Sequence, residues 1–148
     1  MSLKIGVSGI RGIIGGSLTE EVVSNFAKAY GTFVGAAHRV ARTVLIGRDT
    51  RQSGEFVRKI VTDGLLSTSC SIVDVGLCPT PTALFLTRTL KFDGAIIITA
   101  SHNPREWNGL KFVRPDGTFL TKIEVEKLIS IYTSKKFKLK SNKKNIGR

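Results

Sequence analysis

Thr99-Ala100-Ser101-His102-Asn103-Pro104 puts a serine hydroxyl where an apolar run ends and hydrogen-bonding side chains begin. Such a serine is either rigidly presented to a ligand or part of an ordinary turn, because Ser, Asn and Pro are all common turn residues. Hydrolase chemistry does not fit. No Gly-x-Ser-x-Gly elbow surrounds Ser101, and His102, as its sequence neighbour, is poorly placed to act as its base. The other histidine, His38, closes an apparent helix and reads as structural.

Three further stretches carry chemistry. Ser8-Gly9-Ile10-Arg11-Gly12, with Gly15 and Gly16, precedes a helix but lacks the Gly-x-Gly-x-x-Gly spacing of a dinucleotide loop, and no Walker A run occurs. What remains is a backbone-rich loop with one cation. Arg11 is then either solvent-facing on a tight turn or a phosphate contact, since guanidinium suits bidentate oxyanion binding. In Gly47-Arg48-Asp49-Thr50-Arg51, the arginines flanking Asp49 point to an ion-pair network that ties the loop down. In Asn108-Gly109-Leu110-Lys111, Lys111 is either an ordinary exposed strand lysine or an acid/base group pointing into a site, with Gly109 the permissive residue of the turn. Trp107 is a core or lip residue, with no argument that it selects a ligand.

Alternating elements must position these groups. Val44-Leu45-Ile46, Ile72-Val73 with Val75, and Ala95–Ile98 are near-continuous apolar runs, as in strands covered on both faces. Between them lie helical spacings. Val22, Phe26, Tyr30 and Phe33 follow Thr19 as N-cap, and Phe56, Ile60 and Leu65 follow Ser53 as N-cap. A third helix opens at Thr80-Pro81 and is expected to bury Leu84, Phe85 and Leu90. Thr121-Lys122-Ile123-Glu124 is a capping box ahead of Val125, Leu128 and Tyr132. Residues 110–120 read as a hairpin about Asp116-Gly117. The expected fold is therefore a three-layer α/β/α domain on a mixed, mainly parallel sheet. In such sheets ligands gather beyond the carboxyl ends of the strands, which brings the polar loops together.

Composition narrows the class. With 148 residues, 41% hydrophobic and 23% charged, the chain is one globular domain. No apolar run approaches the ~20 residues of a spanning helix, and the N-terminus has no signal core. Cys70 and Cys78 match neither a redox pair nor a zinc site, which fits buried thiols in a reducing, by default cytoplasmic, compartment. Of the net charge of +12, seven units fall in residues 135–148, which hold Lys135, Lys136, Lys138, Lys140, Lys143, Lys144 and Arg148 and no acid. That tail is expected to be a mobile linker that adds little stability. The domain proper is residues 1–134, and its modest positive balance suits an anionic small molecule.

Taken together, the loop at Ser8–Gly12, the run Gly47–Gly54 and the stretch Thr99–Pro104 continuing to Asn108-Gly109-Leu110-Lys111 resemble the α-D-phosphohexomutases over residues 4–134. The family comprises phosphoglucomutase, phosphomannomutase and phosphoglucosamine mutase. The resemblance implies that Ser101 carries a phosphoryl group, passes it to a hexose 1- or 6-phosphate and regains one from the bisphosphate. It also implies that Lys111 and Arg11 lie near the sugar hydroxyl and the phosphoserine, with His102 and Asn103 shaping the serine loop. Ser8, Gly9, Asn108, Gly109, Arg48 and Asp49 are implied members of the phosphate and substrate loops. Mg²⁺ is the implied cofactor, held through the phosphate of Ser101, with its other ligands in a second domain. The chain resembles the first of the family's four domains. It is therefore expected to be an excised domain whose partners are a hexose phosphate and the remaining domains, with no nucleic acid and no membrane, and to be inactive alone. The rival reading is a non-catalytic module whose basic tail binds nucleic acid or acidic partners.

Overall fold

The computed structural model describes residues 2–37 and 42–140. His38, Lys143, Lys144 and Arg148 lie outside the described residues. A short hairpin opens the chain, with β1 at Lys4–Gly6 and β2 at Gly9–Ile13. Then come α1 at Glu20–Ala37, β3 at Arg42–Arg48, α2 at Gly54–Ser67, β4 at Cys70–Leu77, α3 at Thr80–Thr89, β5 at Gly94–Ile98, β6 at Trp107–Val113 and α4 at Lys122–Ser134.

The strands form a mixed sheet in the order β1-β2-β6-β5-β3-β4. β4, β3 and β5 are parallel neighbours joined through helices, whereas β6 pairs antiparallel with both β5 and β2. Because β2 is antiparallel to β6 in turn, β2, β3, β4 and β5 all run the same way. Helices cover both faces, as the alternating pattern requires. On one side α1, α2 and α4 pack Phe26, Tyr30, Val61, Leu65 and Leu128 onto Ile10, Val44, Ile46, Ile96 and Phe112. On the other, α3 packs Ala83 and Leu84 onto Leu45, Ala95 and Ile97.

The α1 cap is as expected, with Thr19 Oγ1 accepting the Val22 N–H at 3.2 Å, and α4 opens on a complete capping box at Thr121 and Glu124. Four expectations need correcting. Ser53 precedes α2 but makes no side-chain cap bond, because its hydroxyl oxygen is taken by Asn108 Nδ2 at 2.9 Å. On α3, Ala83 and Thr87 are buried while Phe85 and Leu90 are 54% and 58% exposed, since among the described residues no second helix on that face closes over them. β4 is an edge strand with an exposed face, Val73 included. Residues 118–120 do not form a full hairpin arm. They make the single bridge Val113↔Phe119, on the short stretch of β6 edge that β2 leaves open beyond Leu110.

The expected linker is likewise docked where it is described. Phe137 packs on the main core cluster. The Lys138 N–H donates to Thr32 Oγ1 at 3.0 Å and the Lys140 N–H to the Ser67 carbonyl at 2.6 Å. A half-buried aromatic, with strap N–H groups donating to the Thr32 hydroxyl of α1 and the Ser67 carbonyl of α2, holds this strap on the domain, whatever the charge of its lysines.

Candidate functional site

The apolar run of β3 delivers Asp49 to the carboxyl edge of the sheet, where its N–H donates to the Ile98 carbonyl of β5 at 3.1 Å. Its carboxylate is fully engaged. Oδ2 accepts the Thr99 hydroxyl at 2.6 Å and Arg51 Nε at 3.2 Å, and Oδ1 accepts the Arg51 N–H at 3.1 Å. The Thr99 hydroxyl oxygen in turn accepts the Ser101 N–H at 3.0 Å. Asp49 thus ties its loop down, as the flanking arginines indicated, and also orients the residue two before the serine.

Ser101 sits just past the wholly buried β5, exposed, at φ 54°. A non-glycine residue in that left-handed region carries strain of about 1–2 kcal/mol, which the surroundings must hold in place. His102 is exposed beside it and makes no hydrogen bond among the described residues. Asn103 closes a turn to the Ala100 carbonyl at 3.1 Å and accepts Arg11 Nη1 on its Oδ1 at 3.0 Å.

Arg11 arrives on β2, a strand where the glycine-rich sequence had read as a loop. It stands opposite Gly109 of β6. A Cβ at Gly109 would lie 2.2 Å from the Ile10 carbonyl oxygen, 2.8 Å from Arg11 Cγ and 2.9 Å from the Thr99 carbonyl oxygen. The missing side chain therefore lets the Arg11 stem cross β6 toward the serine loop. Lys111 projects from the same side of β6 two residues on, by the two-residue period of a strand. Its ammonium lies 5.5 Å from the Phe119 ring centroid. Burial, and then the charge of Arg11, push its pKa below the ordinary lysine value. α3 covers β3 and β5 on this face, which leaves both cations half-exposed.

Other expected site residues lie elsewhere. Asn108 is fully buried. It binds Ser53 and accepts the Gly109 N–H on Oδ1 at 2.8 Å, so it fixes α2 to β6 and offers nothing to a ligand. Arg48 turns toward α2, with Nη2 3.5 Å from Glu55. Ser8 lies in the β1–β2 turn, and Gly9 opens β2 opposite Gly6. Gly9, at φ +115°, abuts the Leu110 carbonyl and Lys111 Cα and not the serine loop. Trp107 is a core residue, 4% exposed, with Lys4 Nζ 5.8 Å from its ring. The residue that sequence reasoning undervalued is Arg51. Its Nη1 donates to the carbonyls of Pro104 (2.8 Å) and Trp107 (3.1 Å), and its Nη2 to those of Ser101 (2.8 Å) and Asn103 (2.9 Å). The signal was its place two residues after Asp49; nothing in the sequence marks the carbonyls it reaches.

An exposed, rigidly held serine thus shares its loop with Asn103, which Arg11 binds, and Lys111 stands on the same face of the sheet as Arg11; cations of this kind suit anionic phosphate. Residues 2–139 match the family described as phosphoglucomutase/phosphomannomutase, alpha/beta/alpha domain I. The chain belongs to this family. Among relatives of the phosphohexomutase domain, it is 38% identical over 137 residues to the phosphoglucosamine/phosphogalactosamine mutase of Sulfurisphaera tokodaii, covering 93% of this chain and 29% of that protein. It is 42% identical over 122 residues to the phosphoglucomutase/phosphomannomutase of Thermococcus kodakarensis, covering 82% and 27%. A phosphoglucomutase/phosphomannomutase family protein from Burkholderia thailandensis shares the fold with a TM-score of 0.78 and 30% identity, covering 93% of this chain and 32% of that one. The chain therefore spans less than a third of the length of these relatives. The family match runs through the docked strap, past the boundary expected at residue 134.

The described residues contain no group of three His, Cys, Asp or Glu side chains that could enclose a metal, and both oxygens of Asp49 are taken. The domain's own side chains do not fit a complete Mg²⁺ site. Among the described residues no helix is long and apolar enough to cross a membrane.

Proposed function

We propose that this chain is the phosphoserine-bearing domain of a phosphohexomutase that interconverts hexose 1- and 6-phosphates. The observation that carries the reading is Ser101 itself. It is exposed and held at a left-handed φ by Thr99 and Arg51, on a loop whose Asn103 side chain accepts from Arg11. In the proposed transfer, the free hydroxyl of a hexose monophosphate attacks the phosphorus of phosphorylated Ser101. The new P–O bond forms as the bond to Ser101 Oγ breaks. Lys111, in its neutral form, takes the hydroxyl proton, the departing Ser101 Oγ takes up a proton and becomes the serine hydroxyl again, and Arg11 balances the phosphoryl charge. The bisphosphate then turns over and returns its other phosphate to Ser101. Mg²⁺ belongs to this proposal as a cation that an oxygen of the serine's phosphate would help to hold, with its remaining ligands supplied from outside these residues; no step above is assigned to it. The chain spans less than a third of the length of its mutase relatives, so residues 1–148 alone are proposed to give no isomerisation. The cytoplasm remains the proposed compartment.

The test is made on the complete mutase. Intact-mass analysis should show one phosphate, mapped to the peptide containing Ser101. Ser101→Ala should abolish turnover and leave the thermal midpoint in place. Near-normal turnover in that variant overturns the assignment.

A further inference from the structure

We infer that Arg51 is a positioning residue that templates the serine loop, and that its planar fork, not its charge, is what the loop requires. The inference rests on the phosphoserine reading. One guanidinium reaches the carbonyls of Ser101, Asn103, Pro104 and Trp107, all at 2.8–3.1 Å. Its fifth direction, Nε, is fixed by Asp49. Arg51 therefore gathers four carbonyls from a seven-residue span around one planar group. A loop carbonyl cluster of this kind repels itself unless a donor fork sits at its centre, and guanidinium presents five donors in rigid geometry where ammonium presents a single point.

The consequences fall on Ser101. Its left-handed backbone is costly and persists only where the surroundings over-determine it. Two restraints act on it directly: its carbonyl is bound to Arg51 Nη2, and its N–H is bound to Thr99, which Asp49 orients. Asp49 holds both restraints, because it accepts from Arg51 and from Thr99. Arg51 is half-buried beneath the loop and faces its carbonyl side, whereas Arg11 approaches from β2 and binds the Asn103 side chain. The two arginines thus have separate duties: Arg11 meets the ligand's charge and Arg51 shapes the chain that presents the hydroxyl.

Two variants, Arg51→Gln and Arg51→Lys, test this by two readouts. The first is amide hydrogen exchange in this chain. Charged hydrogen bonds each contribute about 1.5–3 kcal/mol, so the amides of Ser101, Asn103 and Trp107 should exchange at least about tenfold faster in both variants, while those of β5 keep their protection. The second is kinetics in the complete mutase. Turnover should fall at least about tenfold in both variants, with the Michaelis constant for the hexose phosphate little changed, and lysine should not rescue it. Unchanged loop exchange overturns the inference. So does full rescue by lysine, which would make charge the requirement. Unfolding of the whole chain by either variant also overturns it, because Arg51 would then be holding the fold and not the loop. Failure of the phosphoserine reading shows separately, as retained activity in Ser101→Ala.

Discussion

Replacing Gly109 with alanine asks the junction of β2, β6 and the serine loop to accept one methyl group. The nearest obstacle is the Ile10 carbonyl oxygen, 2.2 Å from where the new carbon would sit, against the 3.0 Å below which real contacts are essentially never seen. The Thr99 carbonyl oxygen is 2.9 Å away on the other side. Both are backbone atoms held by neighbouring hydrogen bonds, one in β2 and one just past β5 where the Thr99 N–H donates to the Gly109 carbonyl at 3.0 Å, so neither swings aside freely, and relief must come from moving β2 away from β6. Inserting a methylene into a packed site costs about 1–3 kcal/mol. With backbone on two sides, we expect about 2–3 kcal/mol, lowering the thermal midpoint by roughly 5–10 °C. The same displacement separates Arg11 Nη1 from Asn103 Oδ1, now 3.0 Å apart, so turnover of the complete mutase should fall as well. Thermal unfolding followed by circular dichroism is the assay, with Gly16→Ala as control. There the nearest atoms lie at 3.4–3.6 Å, and the midpoint should hold. Equal stability of the two variants would refute the close approach on which the placement of Arg11 depends.

Two further outcomes are expected. Phe137→Ala should lower stability by about 1–2 kcal/mol, below the 3–5 typical of a fully buried Phe, while converting Lys136, Lys138 and Lys140 to glutamine should change it by less than about 0.5 kcal/mol; chemical denaturation distinguishes them, and equal effects would make the strap an electrostatic tether. Lys111 has its pKa lowered in the fold by burial and by Arg11, so its ammonium costs stability below the folded pKa and that cost vanishes as the pH rises to the unfolded value. Lys111→Met should therefore gain most over wild type near pH 7 and least above about pH 10, while losing turnover; a gain independent of pH would show that packing, not charge, is responsible.

What the sequence made legible follows from which interactions are local. Thr121 and Glu124 are three residues apart, so the capping box could be read directly. The unbroken Ala95–Ile98 run has a single reading because both faces of β5 are covered. Asp49 between two arginines announced an ion pair for the same reason. Phe85 and Leu90 were misplaced because helical spacing shows which residues share a stripe and not whether a second helix closes over it. Ser53 looked like a cap, and its diversion to Asn108 depends on β6, 55 residues away. Arg11 had the right chemistry on the wrong element: glycine content suggested a loop, whereas Gly9 and Gly109 are small because two strands meet there. The four carbonyls under Arg51 are backbone atoms, to which side-chain identity gives no access.

The β2–β6 pairing also sets an order of events during synthesis. Arg11 and Asn103 are 92 residues apart, a span that takes about 5–20 s to synthesise at about 5–20 residues per second. Until β6 emerges, the β1–β2 hairpin has an unpaired inner edge, while β3, β4 and α2 already have neighbours to fold against. Non-local pairing of this kind is slow to form and leaves strand edges open to the wrong partner. The nascent chain is therefore most prone to aggregate in that interval, and the cationic site forms only when it closes.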